Sequence, residues 1–202
     1  MKGKLIEYPK ISYLLHQTIS PMQPYIAILR GINVSGHNKI PMLELKAMFE
    51  GLGYKNIVTY IQSGNVIFKT AKPKDDTVIA SKVEAAIKHT FNYTVPVIIR
   101  SLQEMETAIA NNPFIGQDGI DIEKFHITFL ASAPDTASLE KISQYDYPPD
   151  KFVILQKEVY LYCPGGYGNT KLSNTFFENK LNVTATTRNL KTVNKLLQLI
   201  DK

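Results

Sequence analysis

Two short junctions in the 202-residue chain have the same make-up, and they constrain the fold more than any other feature. Ile99-Arg100-Ser101-Leu102 and Thr187-Arg188-Asn189-Leu190 each read as a strand end, an arginine, a residue able to cap a helix, and a leucine that opens an amphipathic run. Ser101 with Glu104 forms the S-x-x-E capping box. After Asn189, Leu190, Val193, Leu196, Leu197 and Ile200 recur at helical spacing. What precedes each junction also recurs. A strand is expected over Tyr25 to Leu29, then a helix opening at Pro41, with Leu45, Met48, Phe49 and Leu52 inward and Gly53 ending it. Strands over Ile57 to Ile61 and Val66 to Phe68 join at Ser63-Gly64-Asn65, and a helix near Thr77 to Phe91 and a strand near Val95 to Ile99 follow. The second half repeats this with a strand over Lys124 to Leu130, a helix over Asp135 to Ser143, and a hairpin of Phe152 to Leu155 and Val159 to Tyr162. A helix over Thr170 to Lys180 and a strand over Thr184 to Thr187 complete it. Each half spells β-α-β-β-α-β and then a helix. The expected fold is therefore α+β, an internally duplicated tandem pair of ferredoxin-like units, the first subdomain over 22–112 and the second over 113–202.

Cys163 is the only cysteine, so no intrachain disulfide can form, and a cytoplasmic location is expected. No apolar run approaches the ~20 residues of a membrane span. Residues 1–21 are expected to lie outside the folded core as an N-terminal extension, because their apolar residues keep no period and Ser12, His16, Gln17 and Ser20 break them. The net charge of +5 is unevenly placed. From Pro164 onward, Lys171, Lys180, Arg188, Lys191, Lys195 and Lys202 face only Glu178 and Asp201, a bias that suits a phosphate-bearing partner as well as a solvated helix face.

The richest stretch for binding is Arg30 to Lys39. Arg30, Asn33, His37, Asn38 and Lys39 place donors around Gly31 and Gly36 ahead of a helix, with no acid before Glu44, an arrangement that favours an anion. The plainer alternative pairs Arg30 with a carboxylate of the other half. In a split βαβ unit the loop after the first strand and the turn after the second share one sheet end, so Ser63 and Asn65 are expected beside this loop. The Gly165-Gly166-Tyr167-Gly168-Asn169-Thr170-Lys171 loop is a second phosphate candidate through Lys171, placed near Arg188, although it is not a P-loop. The candidate ligand-binding set is thus Arg30, Asn33, Asn38, Lys39, Ser63, Asn65, Lys171 and Arg188. His16, His37, His89 and His126 have no metal-ligand spacing, so neither a metal nor a cofactor is expected. His126 should face away from Phe125, Ile127 and Phe129, and Cys163 reads as a buried structural thiol.

Tyr25-Ile26-Ala27-Ile28-Leu29-Arg30-Gly31-Ile32-Asn33-Val34 with Asn38-Lys39-Ile40-Pro41-Met42, the hairpin Thr59 to Phe68, and Thr187-Arg188-Asn189 with Thr192, Val193 and Leu196 occur in order. In these stretches the chain resembles domain-of-unknown-function family 1697 from about Met22 to its end. The resemblance implies a bacterial-type protein of two α+β subdomains and no assigned activity. Binding of a phosphate-bearing small molecule or nucleic acid is the leading expectation. A small hydrolase or transferase acting through Ser63, Cys163 or Lys171, and a structural or protein-interaction role using exposed aromatics at Tyr145 and Tyr147, are the alternatives.

Overall fold

In the computed structural model the described residues are 22–34, 36–71, 75–117 and 121–200. Six α-helices and two four-stranded antiparallel sheets make up this mixed α+β fold among them. Sheet one consists of β1 (Gln23–Leu29), β2 (Lys55–Tyr60), β3 (Asn65–Thr70) and β4 (Val97–Ser101), ordered β2-β3-β1-β4. Sheet two consists of β5 (Phe125–Leu130), β6 (Lys151–Leu155), β7 (Glu158–Tyr162) and β8 (Ala185–Asn189), ordered β6-β7-β5-β8. The helices are α1 (Met42–Gly51), α2 (Asp76–Phe91), α3 (Leu102–Ala110), α4 (Thr136–Ile142), α5 (Asn174–Leu181) and α6 (Leu190–Ile200).

Strand alternation determines the layering. Tyr25, Ala27 and Leu29 of β1 face an outer core with Leu45 and Phe49 of α1 and Ile79, Val83 and Ile87 of α2. Ile26 and Ile28 point the other way, toward Phe125, Ile127 and Phe129 of β5, so the two sheets meet face to face. Helices α3 and α6 complete this central layer through Met105, Leu190, Val193, Leu196 and Ile200. Burying the four apolar side chains of α6 contributes roughly 8 kcal/mol before the entropy of ordering is set against it. On the far face of sheet two, Leu130, Val159 and Leu161 pack on Phe177 and Leu181 of α5 and Ile142 of α4.

Four expectations shift in detail. Pro41 stands just before α1, which starts at Met42. The hairpin turn is Ile61 to Gly64, and Asn65 already pairs with Tyr60 as the first residue of β3. The helix expected from Thr170 begins at Asn174, because the Thr170 hydroxyl donates to Asp150 and accepts from the Leu172 N–H, holding the chain extended until Ser173 caps α5. Lys171 therefore precedes the helix. The last strand runs two residues further than expected, so Arg188 is a strand residue opposite Ile127. The N-terminal extension over residues 1–21 lies outside the described residues.

Candidate functional site

At one end of sheet one, the loop after β1 meets the β2–β3 turn as the topology requires. Leu29 N–H donates to the Gly64 carbonyl at 2.8 Å, and Asn33 Nδ2 donates to the Gln62 carbonyl at 2.9 Å. Asn33, at φ 54°, also bridges the loop onto itself, donating to the Ile40 carbonyl and accepting the Ile40 N–H at 2.8 Å. Asn38, at φ 44°, donates to the Gly31 carbonyl. Both asparagine amides are thus spent on loop shape. Gly64, at φ 80°, fits because a Cβ there would stand 2.8 Å from side-chain atoms of Ile32 and Leu29.

Arg188 enters this corner from sheet two. It is 8% exposed, and all five of its N–H groups are engaged. Nε donates to Asn65 Oδ1 at 2.7 Å, Nη1 to Thr186 Oγ1 and the Thr187 carbonyl, and Nη2 to the carbonyls of Leu29, Ser63 and Gly64. Burial draws its pKa down to about 10, still well above neutrality. Asn65, fully buried, holds its orientation by donating to the Tyr60 carbonyl and the Ser63 hydroxyl.

Arg100 does the same in the opposite direction. It donates to Glu158 Oε1 at 3.0 Å, to the Leu130 and Lys157 carbonyls, and to the carbonyl of the residue before it, Ile99. Leu130 and Leu29 end the first strand of each sheet, and Glu158 and Asn65 open the third, so the two arginines have matching acceptors. The difference is that Arg100 has a carboxylate and Arg188 an amide. Around Arg100 the Lys157 ammonium joins Glu104 and Asp76. Burial raises the pKa of Glu158 and of Asp76. Burial pushes Glu104 the same way, but the Lys157 ammonium and the Ser101 N–H outweigh it and hold that carboxyl low.

Arg30 forms a two-pronged ion pair with Glu178 of α5, Nε to Oε1 at 3.0 Å and Nη2 to Oε2 at 2.7 Å. The acid that the Arg30 to Lys39 stretch lacks is thus supplied from the other sheet's helix. Glu178 also accepts the Ala185 N–H. Burial raises its pKa, but the Arg30 and Ala185 donors prevail and hold it below the usual range. The structure therefore brings Arg30, Asn33, Ser63, Asn65 and Arg188 to one corner, where each already has a partner in the protein itself. Lys39 is exposed with no partner among the described residues, and the exposed Lys171 ammonium lies 5.4 Å from the Tyr147 ring.

Among the described residues neither Ser63 nor Cys163 is hydrogen-bonded to a histidine or a carboxylate. Cys163 is fully buried, its thiol pushed up to about 11 by desolvation, and the Ser63 hydroxyl meets only the Asn65 amide. His126 stacks on Tyr167 at 4.9 Å, on the face away from Phe125 and Ile127, and burial lowers its pKa. Tyr167 donates to Thr187 Oγ1 at 2.9 Å, which joins its loop to β8. Tyr145 and Tyr147 are half-buried, each packed edge-on against Phe176, so they are not the exposed aromatics that the sequence suggests. Among the described residues no three His, Cys, Asp or Glu side chains gather as a metal site, and no helix is long and apolar enough to cross a membrane.

A concavity lies elsewhere, between the halves: a groove of about 720 Å³ along the first turns of α6, lined by Tyr60, Ile122, Glu123, Lys191, Asn194 and Lys195 among others. Its size is that of a small-molecule site. Lys191 is exposed with no partner among the described residues, and Lys195 makes only a 3.5 Å contact with Gln198. Lys191 stands in the first turn of α6, where the helix dipole disfavours a cation by about 0.3–1 kcal/mol, whereas α3 carries Glu104 in that turn. The basic C-terminal segment was the visible signal for this groove; Tyr60 and Ile122 reach it only through the packing of the two sheets.

A family model described as "Protein of unknown function (DUF1697)" matches residues 22–160. The Thr187-Arg188-Asn189 stretch lies beyond the matched part. Among solved structures, that of the conserved bacterial protein SP0830 from Streptococcus pneumoniae is similar, with a TM-score of 0.71 and 22% identity over 89% of this chain and 99% of that one. At that identity the likeness is one of fold. No curated protein matches the chain.

Proposed function

The chain belongs to the family described as "Protein of unknown function (DUF1697)", and from that premise we propose that it binds a phosphate-bearing ligand, a nucleotide or a stretch of nucleic acid, in the groove along α6. The observation that carries this reading is the pair Lys191 and Lys195, one helical turn apart on a groove whose only acid among the described residues is Glu123. A phosphate there would meet two ammonium groups and relieve the unfavourable first-turn lysine, while Tyr60 and the Asn194 amide offer a ring face and hydrogen bonds to a base. The Arg30 corner is the weaker candidate, since an anion would have to displace Glu178 and Arg188 has no donor left. Lys39 and Lys171 are both exposed and can make outlying phosphate contacts.

We read the frame of this site as a tandem ferredoxin-like pair made by internal duplication, with halves over 22–112 and 113–202. The identical strand order of the two sheets and the matching acceptors of Arg100 and Arg188 support that reading.

A thermal-shift series with nucleotides, sugar phosphates and short RNA and DNA at two salt concentrations tests the function. A ligand at 100 times its Kd should add about 2.7 kcal/mol. The gain should shrink at high salt and vanish in the Lys191→Ala/Lys195→Ala double variant while surviving in Arg30→Ala. Failure of every phosphate compound, or loss of binding in Arg30→Ala alone, would refute the groove.

A further inference from the structure

We propose that the α6 groove takes a single-stranded nucleic acid, whose backbone runs the length of α6 into a second groove beyond it. This rests on the reading of the first groove as a phosphate site and names the class of phosphate compound that fits it. The second groove, of about 320 Å³, lies between the end of α6 and the edge strand β2, and it includes Lys46 and Glu50 of α1, Val58, Lys69 and Leu199. The two grooves adjoin on both walls. Gln198 and Leu199 are successive residues of α6, one in each groove. Tyr60 and Val58 stand two residues apart on β2, hence on one face, and again there is one in each groove. From Lys191 to Ile200 the helix axis covers about 14 Å, room for roughly four nucleotides of one stacked strand at ~3.4 Å per phosphate. A mononucleotide would fill only one of the grooves.

Charge and shape select this occupant. None of Lys46, Lys69, Lys191 and Lys195 has a carboxylate partner among the described residues, and they outnumber the two acids of the grooves, Glu50 and Glu123. Two of these cations stand where the fold itself disfavours them. Lys191 is in the first turn of α6, and Lys69 lies directly across from Lys55 in the β2–β3 ladder, a like-charge pair. Phosphates at both ends of the track relieve both. On the β2 wall the half-buried Tyr60 and Val58, 38% exposed, give unpaired bases an apolar surface to stack on. An acidic peptide would meet the lysines and make no use of the ring, and in a duplex the base faces are already covered by one another.

Fluorescence anisotropy of the full chain with labelled thymidylate and uridylate oligomers of one to eight nucleotides tests the proposal. In either series the affinity should rise roughly tenfold or more from one nucleotide to four, as two further charge-assisted contacts form, and then level off. With four phosphates held, the slope of log affinity against log salt should be about −3. Lys46→Gln/Lys69→Gln should lose the gain and about half of that slope while leaving the mononucleotide within about twofold. Circular dichroism confirms folding; should that variant not fold, Glu50→Gln, which removes a repelling charge from the second groove, should tighten the four-nucleotide oligomer by roughly threefold and leave the mononucleotide unchanged. A mononucleotide that binds through Lys191 and Lys195 with no gain on lengthening overturns the strand and leaves the phosphate site standing, whereas no binding at any length overturns both. A hairpin duplex that binds more tightly than the single strand, or an oligoglutamate of equal charge that displaces it, overturns the proposal as well.

Discussion

Replacing Arg188 by methionine keeps most of the side-chain volume but removes all five guanidinium N–H donors from the corner where β8 meets the β2–β3 turn. The Gly64 carbonyl keeps a partner in the Leu29 N–H. Asn65 Oδ1 and the carbonyls of Leu29 and Ser63 lose the donor that the structure gives them, each with no other among the described residues. A buried acceptor left unpaired costs about 1–3 kcal/mol, so three of them amount to roughly 6 kcal/mol. For a chain of this size each kcal/mol moves the midpoint by about 2–4 °C, which gives a loss of roughly 12–24 °C. Arg188→Lys should fall between, since an ammonium has three donors in place of five and cannot span the same acceptors. Differential scanning calorimetry and urea unfolding read the change directly. A loss under about 1 kcal/mol, or a gain, would mean that desolvation of a guanidinium without a carboxylate outweighs its hydrogen bonds, and the clamp would be no stabilising element.

The Arg30–Glu178 pair is half-exposed, so Arg30→Ala should cost only about 1 kcal/mol, and a double-mutant cycle with Glu178→Gln should return most of that as coupling. Because Glu178 has a lowered folded pKa, its contribution is present above the unfolded carboxylate value and disappears as pH falls through the folded one; Glu178→Gln should flatten the stability profile in that acid range, and an unchanged profile would count against the pair. Gly64→Ala combines a left-handed backbone with close contacts to Ile32 and Leu29, so urea unfolding should register a loss of more than about 1 kcal/mol, and a neutral result would contradict the packing. Cys163 should resist iodoacetamide at pH 8 in the native protein and react once the chain is unfolded in urea, and rapid native labelling would show that the thiol is not buried as described.

Much of the frame was legible because it is local. The S-x-x-E signature at Ser101 gives both bonds of a capping box, and the Asn189 side chain accepts the Thr192 N–H as its position before an amphipathic run suggests. The alternation of Tyr25 to Leu29 places successive side chains in two different cores. What the sequence did not reveal depends on partners far along the chain. Thr170 is held out of α5 by Asp150, twenty residues earlier, and Arg30 is neutralised by Glu178 at a separation of 148 residues. Nothing near Arg30 announces that carboxylate, so a stretch rich in donors looks like an anion site until the other sheet is docked. The α6 groove has the same cause: its lysines are visible in the chain, but Tyr60 and Ile122 join them only when the sheets stack.

The crossed arginines bear on how the molecule comes apart. Arg100 finds most of its acceptors on the second sheet and Arg188 most of its own on the first, so neither half carries all the oxygens that its own guanidinium requires. Loosening one half strands a buried cation belonging to the other, which ties their stabilities together. Heat or denaturant should then meet one cooperative unit and melt it in a single transition, its calorimetric and van't Hoff enthalpies agreeing, although the strand order repeats as if two small domains had been joined.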